Sequence, residues 1–311
     1  MRVIVPDYYK EFSCIAGACR HSCCIGWEID IDEESMARFD ALDTPYGNTL
    51  RARIDRSGEV PHYRLGEGDR CPFLRADGLC EMILELGEDA LCQICTDHPR
   101  FRNYFSDRTE LGLGLCCEAA GELILKREAP VTLEILEDDA FPDEPDEEEE
   151  TLLSFRDMLF SILQDRSCTL DERLEELCST CGCAAPAFDG ILWAQRFQQL
   201  ERLDEGWTDI LRDLEGQMAF DDPALHTPQW EIAFEQAAVY FLFRHLSAAL
   251  EDGDISSKAA FAVLSVEFLR ALCAGKAGCT LDDLVEFARM YSSEIEYSEE
   301  NLAQVFTWLS E

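Results

Sequence analysis

The dense grouping of cysteines before residue 118 constrains this chain more than any other feature of its sequence. A buried cysteine usually stands alone on the apolar face of a helix or strand, whereas most of these have Gly, Pro, Asp, Arg or another Cys as a neighbour. Side-chain packing alone therefore does not explain them. The three groups are Cys14-x4-Cys19-x3-Cys23-Cys24, Cys71-x8-Cys80-x11-Cys92-x2-Cys95 and the pair Cys116-Cys117.

Disulfide bonds and metal ligation are the two remaining explanations for these thiols. Disulfides form in oxidising compartments, and residues 1–20 have neither the positive start nor the long apolar run of a signal peptide. We therefore favour metal ligation in a cytoplasmic protein. Thiolates from short irregular loops can converge on a soft metal ion or an iron–sulfur cluster without a regular scaffold.

The number of thiols favours an iron–sulfur cluster over a single zinc ion. Structural zinc sites usually have four ligands in two closely spaced pairs, and only Cys92 and Cys95 form such a pair. The surplus of thiols fits a [4Fe–4S] cluster with spare ligands, or a cluster and a second ion, better than it fits one zinc ion. Zinc stays the alternative metal.

The charge of the chain bears on its partners. The formal net charge of −38 argues against nucleic acid or an anionic membrane surface. Residues 129–311 carry 11 basic and 40 acidic side chains, a net charge of −29, so most of the acidity lies there. This field either keeps the protein soluble or attracts lysine-rich segments of a substrate. The chain has no apolar run of about 18 residues, so we expect no membrane span.

Composition and periodicity predict a mainly α fold, in which a small irregular cysteine-rich metal-binding lobe precedes an α-helical bundle. Residues 1–136 form the predicted cysteine-cluster (iron–sulfur) domain. Residues 137–150 are acidic and contain two prolines, which is typical of a linker. Residues 151–311 have apolar side chains at helical spacing and form the predicted acidic α-helical domain, with seven or eight helices.

Two further motifs each allow two interpretations. Gly112-Leu-Gly114 imitates a nucleotide-binding loop, but such a loop must follow a buried strand, and residues 105–109 do not read as one. We attribute these glycines to a close approach of the backbone to a cluster. In the second half, Cys178-x2-Cys181-x-Cys183 either packs in the helical domain or holds a second ion.

The first half of the chain contains four motifs in a fixed order, which are F-x-C-x4-C-x3-CC-x2-W, CPFL-x3-GLC, LC-x2-C-x2-HPR-F and GLGLCCEAA. These ordered motifs resemble the flagellin lysine-N-methylase family. The resemblance covers about Asp7 to Lys126, and a more distant one links the cysteine groups to proteins that chelate zinc or iron. His98 stands where the family pattern has Tyr, and Cys117 stands where it has Pro, so Cys117 has less support than Cys116.

The resemblance implies an iron–sulfur protein that transfers methyl groups from S-adenosylmethionine to lysine side chains of flagellin. It identifies neither catalytic residues nor a site for S-adenosylmethionine. A radical mechanism is disfavoured, because Gly26 stands where the third thiol of Cys-x3-Cys-x2-Cys would be needed. The metal ligands predicted from the motifs are Cys14, Cys19, Cys23, Cys24, Cys71, Cys80, Cys92, Cys95 and Cys116.

Functions of other classes compete with methyl transfer. The chain could be a non-catalytic metal-binding or redox-sensing protein with an acidic helical interaction domain, or an iron–sulfur electron carrier. Binding of S-adenosylmethionine separates the enzyme from the binding module, and reversible reduction with a separate redox partner would mark the electron carrier.

Overall fold

A computed structural model describes residues 2–138, 144, 146–183 and 188–310. The chain is mainly helical, as predicted. It divides into two compact units, which are residues 13–100 (the cysteine-rich unit) and residues 1–12 together with 101–311 (the helical unit). In the part of the chain that is described, no helix combines the length and the apolarity needed to cross a membrane.

Short strands and helices alternate in the first half, and longer helices follow. The strands within the described ranges are β1 (Arg2–Pro6), β2 (Ile54–Asp55), β3 (His62–Tyr63), β4 (Arg100–Tyr104), β5 (Arg108–Leu113) and β6 (Leu133–Asp138). The α-helices there are α1 (Glu33–Ala41), α2 (Pro45–Ala52), α3 (Glu81–Leu86), α4 (Gln93–Asp97), α5 (Glu118–Leu125), α6 (Glu147–Leu163), α7 (Leu170–Cys181), α8 (Gly190–Phe197), α9 (Glu205–Glu215), α10 (Pro228–His245), α11 (Ala249–Asp252), α12 (Ile255–Gly275), α13 (Leu281–Tyr291) and α14 (Glu299–Ser310). A π-helical turn, Ser292–Glu296, follows α13 directly.

Local signals in the sequence explain the short elements of the cysteine-rich unit. The Asp32 carboxylate caps α1 by accepting a hydrogen bond from the Ser35 backbone N–H at 2.8 Å. Pro45 occupies the first turn of α2, where its missing N–H costs nothing. Gly87 ends α3 with a φ of 88°, as its position predicts.

A four-stranded sheet in the helical unit corrects the predicted domain boundary. Its strand order is β4-β5-β1-β6, with β1 parallel to β5 and antiparallel to β6. Because β5 and β6 join this sheet and α5 packs against α10 and α13, residues 101–136 belong with the helices and not with the cysteine-rich unit. The predicted linker at residues 137–150 overlaps the end of β6 and the start of α6, and residues 139–143 and 145 within it lie outside the described residues.

Close packing explains the glycine that imitated a nucleotide-binding loop. Gly112 lies in β5, so residues 108–113 form the strand that the sequence did not indicate. A Cβ atom at this position would overlap the ring of Phe101. The expected approach of this backbone to a cluster was therefore wrong at Gly112, because an aromatic ring occupies the space.

Aromatic side chains fill the core of the helical unit. Phe197, Trp207 and Tyr291 surround Phe268 of α12, with ring centroids 4.9 to 5.9 Å from it. All four side chains are fully buried. Burial of such side chains contributes roughly 1.5–3 kcal/mol each for a ring of Phe size, so apolar packing is sufficient to hold these helices together.

Candidate metal centre and a buried polar cluster

Five of the predicted ligands contribute to one small core in the cysteine-rich unit. Cys71 and Cys92 are buried in it, and Cys24, Cys80 and Cys95 are half-buried and pack against it. The charges of Cys24, Cys71 and Cys92 all act on Cys95, so these thiols lie within electrostatic reach of one another. The structure thus brings together thiols from both cysteine groups of this unit.

Backbone hydrogen bonds between distant segments place these thiols. The Cys71 N–H donates to the Cys24 carbonyl at 2.8 Å, which joins the first cysteine group to the second. Cys80 forms an isolated β-bridge with Leu74, so the predicted hairpin exists in a minimal form. Cys92 is the residue that precedes α4, and Cys95 lies within that helix.

The electrostatic surroundings make some of these thiols more acidic than others. The Sγ atoms of Cys92 and Cys95 are 3.4 Å apart, and the hydrogen bond from Cys95 lowers the pKa of Cys92 to about 7. A hydrogen bond from Cys23 likewise lowers the pKa of Cys24 to about 7. Burial raises the pKa of Cys71 to about 12. Two thiols are therefore poised to ionise near neutral pH, and the thiolate is the form that binds metal.

The first cysteine loop docks on the second through two glycines. A Cβ atom on Gly17 would lie 2.7 Å from the Asp77 carbonyl oxygen, and one on Gly78 would lie 3.0 Å from Gly17 Cα. Only glycines allow the two backbones to approach this closely. Cys14 and Cys19 flank Gly17 in this loop, so the close approach fixes the segment that carries both thiols. The Cys14 sulfur accepts a hydrogen bond from the Ala16 N–H, and the Cys19 thiol donates one to the His21 carbonyl.

Cys116 belongs to the helical unit, whereas the other eight predicted ligands belong to the cysteine-rich unit. Burial raises its pKa to about 12, and its thiol shares a hydrogen bond with Tyr297. Arg244 also lies close enough to influence it. Cys116 is thus a neighbour of a polar cluster that the sequence did not reveal.

This polar cluster centres on Glu296 in the π-helical turn. Its side chain is fully buried and accepts hydrogen bonds from Tyr240 at 3.0 Å and from His245 Nε2 at 2.7 Å. Arg244 donates to the Tyr240 hydroxyl at 2.8 Å and lies 3.3 Å from the carboxylate. Burial alone would raise the pKa of Glu296, but Arg244 and His245 outweigh it and the pKa falls below its usual value. The carboxylate is therefore ionised.

Aromatic rings enclose the guanidinium group of this cluster. Arg244 lies 4.9 Å from the ring centroid of Phe101 and 4.5 Å from that of Tyr297, which is 42% exposed. Burial lowers the pKa of His245, so its neutral imidazole donates to Glu296. The Arg244 guanidinium group is thus held between two aromatic rings, close to Cys116. The only signal in the sequence was the Arg244-His245 pair directly after the apolar run of residues 237–243 in α10.

The spacing of the thiols bears on the metal-ligand predictions. Among the residues that the structure describes, no three thiol sulfurs all lie within 4.8 Å of one another. A tetrahedral zinc ion with bonds of about 2.3 Å holds its sulfurs roughly 3.8 Å apart, and the 3.4 Å between the Cys92 and Cys95 sulfurs is close to that spacing. The iron–sulfur cluster stays a prediction, with zinc as the alternative metal. The same finding applies to Cys178, Cys181 and Cys183, where no three-thiol site is formed.

Comparisons with known proteins agree with the motifs. Residues 187–311 match the family model described as the FliB lysine N-methylase C-terminal domain. The chain is 30% identical over 132 residues to proteins named lysine-N-methylase from Salmonella typhimurium and Salmonella choleraesuis, covering 40% of this chain and 32% of each of theirs. It is 29% identical to the flagellar biosynthetic protein FliU of Salmonella muenchen, covering 76% of that protein. No solved structure matches.

The alignment thus spans about a third of the length of the two lysine-N-methylases. Tyr240, Arg244, His245 and Glu296 all fall within the matched C-terminal domain. These findings agree with the resemblance of the cysteine motifs, and the chain is similar to the proteins named lysine-N-methylase over 132 residues and to the FliB C-terminal domain over residues 187–311.

Proposed function

We propose that this protein is a protein-lysine N-methyltransferase that transfers methyl groups from S-adenosylmethionine to lysine side chains of flagellin in the cytoplasm. The observation that carries the proposal is the relationship to proteins named lysine-N-methylase, together with the flagellar name of a third relative. The acidic surface is compatible with a cationic substrate, because residues 129–311 carry 11 basic and 40 acidic side chains.

We propose further that the cysteine-rich unit holds an iron–sulfur cluster of the [4Fe–4S] type. Five thiols share one small core there, and two of them have a pKa of about 7. A bound cluster would supply one-electron chemistry or an iron Lewis acid. The ligands would come from Cys24, Cys71, Cys80, Cys92 and Cys95, with Cys14, Cys19 and Cys23 as the other candidates in this unit.

The proposed reaction places simple demands on the protein. The lysine ammonium group must first lose a proton, and its nitrogen then attacks the methyl carbon of S-adenosylmethionine in line with the departing sulfur. A C–N bond forms, the C–S bond breaks, and S-adenosylhomocysteine leaves. The chain's contribution is to orient the two substrates and to take up the proton.

Mass spectrometry of flagellin tests this function. Anaerobically purified protein is incubated with S-adenosylmethionine and unmodified flagellin, and we expect mass increases in steps of about 14 Da on surface lysines, as methylation requires. Methylation should be faster at low salt, because exposed charges are screened beyond roughly 8 Å at physiological ionic strength. Flagellin that gains no methyl groups, while iron is retained and S-adenosylmethionine is present, would refute the activity. Absence of S-adenosylmethionine binding by calorimetry would then favour the metal-binding or redox-sensing alternative.

A further inference from the structure

An extended segment of the cysteine-rich unit presents two carboxylates on one face. Side chains of an extended strand alternate between its faces, and Ile29 and Ile31 are buried in the core with 1% exposure each. Glu28 and Asp30 therefore project from the opposite face and are exposed. The alternation of buried and exposed residues fixes the direction of both acidic side chains.

His62 lies directly opposite Asp30, on a neighbouring segment of the chain. It forms a β-bridge with Asp30, and the flanking hydrogen bonds, Ile31 N–H to the Pro61 carbonyl at 2.8 Å and Tyr63 N–H to the Ile29 carbonyl at 3.1 Å, hold the two segments in register. Residues directly opposite each other place their side chains on the same face. The imidazole is thus held beside the carboxylates by backbone pairing.

The ligand atoms of these three residues converge. One ligand atom from each of Glu28, Asp30 and His62 lies within 4.8 Å of the other two. Among the described residues, these three form the one group of three or more side chains whose ligand atoms are close enough to share a metal ion. The side chain of His62 is 22% exposed, whereas that of Glu28 is 59% exposed. Asp30 also lines a cavity of about 320 Å³, which gives water access to one side of the group.

The hydrogen bonding of His62 points to a cation at this place. Its Nδ1 atom lies 3.2 Å from the Val60 carbonyl oxygen, which can only accept, so Nδ1 carries a proton. In the neutral ring, Nε2 then has a lone pair, and it faces Glu28 Oε2 at 3.3 Å. Two acceptors at this distance repel each other unless a proton or a metal ion lies between them.

The neighbouring carboxylate on the other side of His62 already has partners. Asp55 is the residue opposite His62 in the β2–β3 pair, and its Oδ1 accepts hydrogen bonds from Ser57 N–H at 2.8 Å and Ser57 Oγ at 2.6 Å. Glu28, Asp30 and His62 therefore remain as possible ligands, and together they offer one nitrogen and two carboxylate groups.

We propose that Glu28, Asp30 and His62 form a binding site for one divalent metal ion that prefers nitrogen and oxygen ligands, such as Mn²⁺. The two carboxylates balance the charge of the ion, and water completes its coordination. The carbonyl of Val60 acts as the partner that orients the imidazole, an arrangement common to metal-bound histidine. The ion links the segment that follows the first cysteine group to the β2–β3 hairpin.

Titration with Mn²⁺ tests the site, because thiolates are poor ligands for this ion and the cysteines will not compete for it. Binding to the full-length, iron-loaded protein is followed by the loss of the electron paramagnetic resonance signal of free Mn²⁺, at about 0.15 M salt to suppress diffuse binding. We expect one saturable site whose spin-echo spectrum shows coupling to an imidazole nitrogen. His62→Gln should weaken binding by about tenfold or more, and Glu28→Gln should have a similar effect.

A matched control is available in the helical unit. His226 Nε2 lies 2.8 Å from Asp221, and the pair is similarly exposed, so His226→Gln removes a histidine–carboxylate pair of the ordinary kind. This variant should bind Mn²⁺ as the wild type does. Circular dichroism and iron content of every variant check that the fold is retained. Equal binding by the wild type and His62→Gln, or no saturable binding by the wild type, would show that a proton alone bridges Glu28 and His62 and would overturn the proposal.

Discussion

The two units of this chain differ in the length of their helices and in the composition of their buried cores. The helical unit contains helices as long as the 21-residue α12 and a continuous aromatic core. In the cysteine-rich unit the longest helix has nine residues, and two of the eleven residues in its buried core are Cys71 and Cys92. Small units bury a smaller fraction of their surface and often need a metal or disulfides. In the cysteine-rich unit the proposed metal centre would add bonds between metal and thiolate to the packing of this smaller core.

Buried charge sharpens the contrast. In the helical unit, Arg156 donates two hydrogen bonds to Glu110, at 2.8 and 2.5 Å, with side chains 5% and 0% exposed. Glu235 accepts from Arg173 and Arg166 in the same way. Each of these buried charges therefore has a partner of opposite sign. In the cysteine-rich unit the buried core contains thiols instead, and a bound metal ion or cluster would supply the positive charge that stabilises them as thiolates.

The largest effect is expected from removing thiols of the cysteine-rich core. Cys92→Ser and Cys95→Ser should each lose most of the bound iron and loosen residues 13–100, because metal binding and folding are coupled in such units. Iron analysis and limited proteolysis measure the two effects. The matched control is Cys279→Ser in the helical unit, which should keep its iron. Full iron retention after both core substitutions would remove the basis for the comparison.

The next effect concerns the helical unit alone. Glu110→Gln leaves the buried Arg156 guanidinium without its counter-charge, so the free energy of unfolding should fall by about 3–5 kcal/mol, as measured by urea denaturation. Asp209→Asn breaks the exposed Arg212–Asp209 pair, with side chains 67% and 77% exposed, and should change stability by less than about 1 kcal/mol. Similar effects of the two substitutions would show that burial of the ion pair is unimportant.

A smaller loss of stability is expected from a substitution at Gly112 in the helical unit, where the backbone of β5 packs against the ring of Phe101. Gly112→Ala places a methyl group in the space of the Phe101 ring, and overpacking of this kind costs about 1–3 kcal/mol. Gly216→Ala is the control, because its Cβ would meet only carbonyl oxygens at 3.6 Å and its φ is −80°. Thermal denaturation compares the two. Equal melting temperatures would mean that Phe101 moves aside without cost.

The smallest effect is a pH dependence at the start of α12. The Ser257 backbone N–H donates to Asp254 and lowers the pKa of that carboxyl to about 2. Because this folded-state pKa lies below the unfolded value of about 3.9, the carboxylate stabilises the fold above pH 4, and the contribution is lost as the pH falls towards 2. Asp254→Asn should therefore cost up to about 1 kcal/mol at pH 7 and less at pH 3. A cost independent of pH, in urea denaturation, would contradict this assignment.

Local signals made much of the helical unit predictable. The helical period after residue 151 correctly indicated helices. The sheet was missed because β1 pairs with β5 about a hundred residues later in the chain, and no local pattern records such a pairing. Gly112 was misread for the same reason, since its partner Phe101 lies on a neighbouring strand.

The candidate sites show the same limit. The motifs identified the thiols of the cysteine-rich core, because metal ligands from short loops leave a pattern of spacing. The cluster around Glu296 leaves none, since a π-helical turn and helix α10 contribute its members from separate parts of the chain. His62 was likewise invisible as a neighbour of Asp30 until the β-bridge between them was known.

Metal analysis of the whole protein tests the central claim most directly, which is that a cluster bound by thiolates organises residues 13–100. Anaerobically purified protein should be brown and contain about four iron and four acid-labile sulfide per chain, as a [4Fe–4S] cluster requires. Removal of the iron should unfold the cysteine-rich unit and leave the helical unit intact. A colourless protein that holds one zinc ion and no iron would contradict the claim.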